Sequence, residues 1–237
     1  DAQESRGLGD VYKRQMIGSI FQSLYSMVDS AVLGRFVGSH ALAAIGATTS
    51  TTGLILLLAT GVTSAISIVL SQYVGANDTD RVRKGIVASG WITLLLGVVL
   101  GLISVFAARP LMQLLKTPED VIDMSVLYIQ IVCGCGIAQF AYNAAASILR
   151  ALGDSKTPLY FLILCSILNV ILDLISVIGL NMGVAGVAVA TIGSQAISAA
   201  ICILVMFRKY PDLMPKRHTL RPDMPVSLKI FGMGARM

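Results

Sequence analysis

LNVILDLISVIGLNMGVAGVAVATIGSQ, residues 168–195, is apolar almost throughout, yet it holds one carboxylate, Asp173. The stretch divides at GLNMG (179–183), a tight connection that carries no charge. Apolar sequence continues outward on both sides, to Pro158 before it and to Phe207 after it. Each arm therefore reaches about 20 residues, the length an α-helix needs to cross the hydrocarbon core of a bilayer. Gly186, Ala190 and Ser194 recur every four residues, a spacing that lets helix backbones approach closely in lipid. Two membrane-spanning helices joined by a short turn is the reading that follows.

The rest of the chain repeats the pattern. Of 237 residues, 55% are hydrophobic and 13% charged, and the mean hydropathy is +0.79. A soluble domain needs a charged exterior of roughly a quarter of its residues, so this is an integral membrane composition. Six spans are expected, near 16–36, 42–73, 85–108, 121–148, 158–179 and 184–207, forming an all-α six-helix bundle over residues 16–208. Polar turns such as GANDTDRVRKG and RALGDSKTP separate them, with Gly153 and Pro158 ending the fourth and starting the fifth. Gly97 and Gly101 make a further four-residue step in the third. Residues 209–225 read as a basic, proline-rich loop, and 226–237 as the cut-off start of a seventh helix.

Charge sets the orientation. Arg81, Arg83, Lys84, Arg150, Lys156, Arg208, Lys209, Lys216, Arg217, Arg221 and Lys229 lie on one side, against Arg35, Arg109 and Lys116 on the other. Eleven against three places the first set in the cytoplasm. The net charge of +5 is thus a matter of topology, and no aromatic-interleaved basic patch points to nucleic acid. Cys133, Cys135, Cys165 and Cys202 sit in apolar runs and read as small hydrophobes. His40 and His218 join no cluster with metal-ligand spacing.

Residues 5–15, SRGLGDVYKRQ, resemble a transposon-based sequencing-library adaptor translated in frame. Residues 1–15 are accordingly expected to lie outside the fold, with no fixed packing of Val11 or Tyr12. The true N-terminus is then missing, the first helix is shortened, and the chain is a fragment of a longer gene product.

Two acids stand inside spans away from their ends, Asp29 and Asp173. Insertion of an aspartate at a helix centre costs roughly 2.5–3.5 kcal/mol, and apart from Arg35, at the outer end of the first, no lysine or arginine falls within the expected spans to offset it. Both acids lie six residues from the outer end of their helices, roughly 9 Å below the surface at 1.5 Å per residue. Thr191 lies roughly 12 Å down from the same side. Tyr25 and Asn169 precede Asp29 and Asp173 by one turn, and Gln195 follows Thr191 by one turn, so each pair shares a helix face. Asn143 adds an amide in the fourth span. Carboxylates with amide and hydroxyl oxygens suit a small hard cation such as Na⁺. Two carboxylates brought together away from water can also carry a proton. Either use makes Asp29, Asn169, Asp173 and Thr191 an ion-coupling site, with Tyr25, Gln195 and Asn143 as cavity candidates.

At these residues the chain resembles the multidrug and toxic compound extrusion family. LYSMVDSAVLGRFVGSHALAAIG (24–46) is similar to its first-helix signature, and SQYVGAND (71–78) to its end of helix two. ILRALGDSKTP (148–158) is similar to its turn between helices four and five, and residues 168–195 to its fifth and sixth helices. The resemblance implies one lobe of a twelve-helix, two-lobe secondary antiporter, not an enzyme. Such a protein exports amphipathic, often cationic compounds in exchange for H⁺ or Na⁺, with no cofactor beyond the ion. The family's coupling residues carry over onto Asp29, Asn169, Asp173 and Thr191, and the acid at 173 favours H⁺. Its setting would be a bacterial cytoplasmic membrane, and its partners the organic substrate, the bilayer and the other lobe of the same protein. Alone, the half should not transport.

Three rival readings share parts of this pattern. A flippase of lipid-linked saccharides shares the fold but would hold pyrophosphate in a more cationic cavity. An intramembrane aspartyl protease also needs two acids, but the Tyr-Asp and Gly-x-Gly-Asp pairs are absent, since Val28 precedes Asp29 and Leu172 precedes Asp173. A membrane scaffold subunit would use the acids only structurally.

Overall fold

The computed structural model describes residues 2–215 and 223–234; the side chains of residues 2–15, Gln22 and Leu58 are outside that description. Helices account for nearly all of it, and no strand occurs among the described residues. They are α1 (Ala2–Phe36), α2 (Ser39–Gly75), α3 (Thr79–Leu114), α4 (Glu119–Gly134), α5 (Ile137–Ala151), α6 (Lys156–Asp173), α7 (Gly183–Lys209) and α8 (Met224–Gly234). A π-helical segment, Leu174–Gly179, prolongs α6, and a 3₁₀ turn, Pro211–Leu213, follows α7. The expected absence of packing at Val11 and Tyr12 falls on side chains outside the described set. The backbone there continues α1.

Helices cover the six expected stretches in order, with one correction. The fourth, expected as a single helix over 121–148, is two helices bent by 43°. The break falls at Gly134-Cys135-Gly136, where the Gly136 amide donates to the Cys133 carbonyl at 3.1 Å. Its cause lies partly on α3. A Cβ at Gly101 would stand 3.0 Å from the Gly134 carbonyl oxygen, and one at Gly97 would stand 3.0–3.1 Å from Ile137. The Gly97–Gly101 step therefore admits the corner of a bent helix rather than the side of a straight one.

Among the described residues, four helices are long and apolar enough to span a membrane, and the bent pair makes a fifth. The first helix falls short by composition, because Ser19, Ser23, Tyr25, Ser26, Asp29 and Ser30 interrupt its apolar run. Large side chains such as Phe106 (77% exposed) and Leu57 (67%) point outward, which water would penalise and lipid does not.

Packing centres on α7, which touches α1, α4, α5 and α6. At the basic end Ile66, Leu70, Ile86, Leu149, Cys202 and Met206 form one core. At the other end Val32, Leu33, Val177, Val184 and Val187 form another. Turns are closed by residues that tolerate positive φ, namely Asn77 (54°), Gly153 (84°), Asn181 (52°) and Gly183 (59°). The loop after α7 is tied to the α2–α3 turn. Arg83 donates through Nε to the Asp212 carbonyl at 2.8 Å, and Lys84 pairs with Asp223 at 3.2 Å. Helix α8 then packs on α2 and α3, with Gly234 against Val62 and the Gly61 carbonyl.

Candidate functional site

Two helices carry the in-span acids, and the fold brings them together. Tyr25 and Asp29 share one face of α1; Asn169 and Asp173 share one face of α6. Asp173 is 0% exposed and Asn169 2%, while Asp29 is half-buried. The Asp29 and Asp173 carboxyl groups face each other within hydrogen-bonding reach. Yet neither Asp173 oxygen, nor Asp29 Oδ1, meets a donor among the described residues. Both observations have one cause. Two ionised carboxylates are acceptors only, so their contact becomes a hydrogen bond only if one of them holds a proton.

From Asp173 the set extends along α6 to α7. Asn169 Nδ2 donates to Thr191 Oγ1 at 3.4 Å, while Asn169 Oδ1 is buried without a donor. Gln195, one turn beyond Thr191, buries its Oε1 in the same state. Buried polar atoms are nearly always paired, so this concentration of orphan oxygens marks the region out.

Beside it lies a cavity of about 450 Å³ lined by α1, α5, α6 and α7, with Leu56 of α2. Tyr25, Asn143, Asn169, Thr191 and Gln195 line it; Asp29 and Asp173 do not. The seven residues singled out from sequence therefore fall into two compartments. The acid pair lies outside the cavity lining, the three cavity candidates belong to it, and Asn169 with Thr191 connects the two.

Three features were not legible in the sequence. Tyr128 of α4 stands in electrostatic range of Tyr25, Asp29 and Asp173 and packs against the Val32–Val187 core. Its signal was weak, a lone phenol in an otherwise apolar span. The π-helical turn begins at Leu174, immediately after Asp173, with the Leu180 amide reaching back to the Ile175 carbonyl at 2.9 Å. Such wide turns commonly sit at functional positions, and this one follows the buried acid directly. The third is a correction. The expected fourth span held no cation, but α5 runs on to Ala151, and Arg150 lines the cavity.

A bundle of membrane-spanning helices, with a polar cavity beside a buried acid pair, is the architecture of a membrane transporter. Comparison with known proteins gives the family. A family model described as MatE matches residues 15–175. The chain is 35% identical over 185 residues to the probable multidrug resistance protein YpnP of Bacillus subtilis (strain 168), covering 77% of this chain and 41% of that protein. It is 31% identical over 215 residues to the probable multidrug resistance protein YoeA of the same organism, covering 89% and 45%. A solved structure described as the outward-facing conformation of a multidrug resistance MATE family transporter of the MOP superfamily superposes with a TM-score of 0.86. Identity there is 25%, over 94% of this chain and 49% of that one. The chain belongs to the MatE family of multidrug efflux transporters, which are multi-pass membrane proteins rather than enzymes. It spans about half the length of the curated relatives it matches, as one lobe of a two-lobe transporter does.

Proposed function

We propose that this chain forms the N-terminal lobe of an antiporter that exports amphipathic organic compounds in exchange for H⁺, through the Asp29–Asp173 pair. The observation that carries the reading is the facing pair itself, in which both Asp173 oxygens and Asp29 Oδ1 are buried without a donor among the described residues. Without a shared proton the two charges repel across α1 and α6; with one, the repulsion becomes a hydrogen bond that draws the helices together. Tyr25 lies one turn from Asp29 on α1 and lines the cavity. A change of charge at Asp29 is therefore felt in the cavity wall through a rigid helical turn. Asn169 contributes from the other side, since it lines the cavity and precedes Asp173 by one turn. The same oxygens could serve Na⁺, which is the alternative the test separates.

Export runs from the basic face outward, and that face is cytoplasmic by the lysine and arginine count. A lobe alone encloses only half of a central pathway, so the separate half does not transport. The test uses the full-length protein in proteoliposomes, with H⁺ and Na⁺ gradients imposed separately and fluorescent amphiphiles of both charge signs as cargo. Flux driven by the H⁺ gradient is the expected result. Flux under Na⁺ alone would reassign the ion, and flux under neither would overturn the antiporter reading.

A further inference from the structure

The cavity has a polarity that the acid pair conceals. Its lining contains Gln139, Tyr142, Asn143 and Arg150, spaced so that one face of α5 presents them all. Opposite them stand Ser155, Ser166 and Asn169 of α6 and its approach, together with Thr191, Ser194 and Gln195 of α7. Among the lining residues there is no carboxylate, and the one ionisable group of full charge is the Arg150 guanidinium. Arg150 is exposed to the cavity mouth at the basic end of the bundle, and its Nη2 donates to Ser147 Oγ at 2.9 Å. A guanidinium carries five N–H donors, so one such bond leaves most of the fork available. No carboxylate of the described residues pairs with it. The acid closest in sequence, Asp154, is engaged by Lys209 at 2.6 Å and by Thr157.

We propose that Arg150 is an anion-recognition residue of this cavity, and that the molecules it admits are amphiphiles bearing a carboxylate or phosphate group. A simple lipophilic cation would meet a fixed positive charge at the entrance and no acid on the wall. An anionic group meets a planar donor fork matched to its oxygens, backed by hydroxyl and amide side chains. The volume of about 450 Å³ falls within the range of small-molecule sites, so the rest of the molecule has room along α5 and α6. The proposal rests on reading the cavity as the path of the exported compound.

The test is equilibrium binding, with no ion gradient, to the full-length protein in nanodiscs of neutral phosphatidylcholine. Two probes share one body, 7-methoxycoumarin-3-carboxylate and its uncharged carboxamide. Roughly ten-fold tighter binding of the carboxylate is expected. Arg150→Gln should bring it down to the level of the amide without changing the amide, and Arg150→Lys should restore part of the difference. Equal binding of both probes to the wild type, or a carboxylate preference that survives Arg150→Gln, would overturn the proposal. A second arm replaces part of the lipid with phosphatidylglycerol. Loss of carboxylate binding there, absent in Arg150→Gln, identifies a lipid headgroup as the anion that Arg150 holds. Because no gradient is applied, failure here leaves the ion-coupling test untouched, and failure of ion coupling leaves this binding difference measurable.

Discussion

Among the described residues two acids are almost wholly buried, and their surroundings are opposites. Asp154, in the turn between α5 and α6, is 7% exposed and fully provided for. Lys209 Nζ donates to its Oδ2 at 2.6 Å, Thr157 Oγ1 to the same oxygen at 2.6 Å, and the Thr157 amide to Oδ1 at 3.1 Å. Burial alone would raise its pKa, but the hydrogen bonds from Lys209 and Thr157 outweigh that and hold it below the ordinary carboxylate range. Asp173 is 0% exposed and has no donor for either oxygen, only a second carboxyl facing it. A buried acid with three donors is a structural rivet between α6 and α7. One with none is costly to keep, and the cost makes sense if the group exchanges an ion. Burial does not distinguish the two sites. Donor count does.

The largest expected effect breaks the unsatisfied side of the comparison. Asp29→Asn in the full-length protein should lower gradient-driven efflux by about 100-fold or more, the scale of losing an acid–base group, with membrane insertion intact. Efflux assays normalised to protein in the proteoliposome decide it, and wild-type rates would end the ion-coupling reading. Asp173→Asn should be as severe under an H⁺ gradient. It should be milder under Na⁺, because an amide oxygen can still serve a cation but the group cannot cycle a proton.

Next comes stability, where the two acids should change places. Asp154→Asn should cost about 1–2 kcal/mol, allowing for solvent around Lys209, and lower the melting temperature in detergent. Asp173→Asn should leave that temperature unchanged or raise it, since it removes an unpaired buried acid. A destabilised Asp173→Asn beside a neutral Asp154→Asn would invert the assignment. A smaller effect is expected from pH. With its pKa depressed in the fold, Asp154 contributes stability that is complete above its unfolded value of about 3.9 and fades as the pH falls through the lower folded value. Thermal melts from pH 7 to 3 should thus show the Asp154-dependent difference shrinking only below about pH 4. Least of all, Lys209→Gln should cost less than half of what Asp154→Asn does, because Lys209 is half exposed and Thr157 still serves the carboxylate.

Much of this was legible residue by residue. The apolar runs, the turns at Asn77, Gly153 and Asn181, and the in-span acids follow from composition and spacing, because a bilayer imposes length and prices every charge. Asp29 and Asp173 also fall at one depth, since helices that start and stop at fixed surfaces put equal residue counts at equal heights. Height is not azimuth, however. Spacing along α1 and α6 could not say that the acids would fall outside the cavity that Tyr25, Asn143 and Gln195 line. Nor could it find Tyr128, which reaches the pair from α4 across the bundle, or mark Arg150 as a wall residue when the fourth span was expected to end at 148.

What the sequence by itself determined is the list of helices, their order and the identity of the costly residues, all local consequences of hydropathy and turn chemistry. What only the tertiary structure decided is which of those residues meet and which are satisfied. The bend at Gly134–Gly136 follows the approach of Gly97 and Gly101, and the contrast between Asp154 and Asp173 follows which donors the neighbouring helices bring. Both depend on how helices rotate and cross. That is fixed by the summed packing of many weak contacts between distant segments, and no window along the chain contains it.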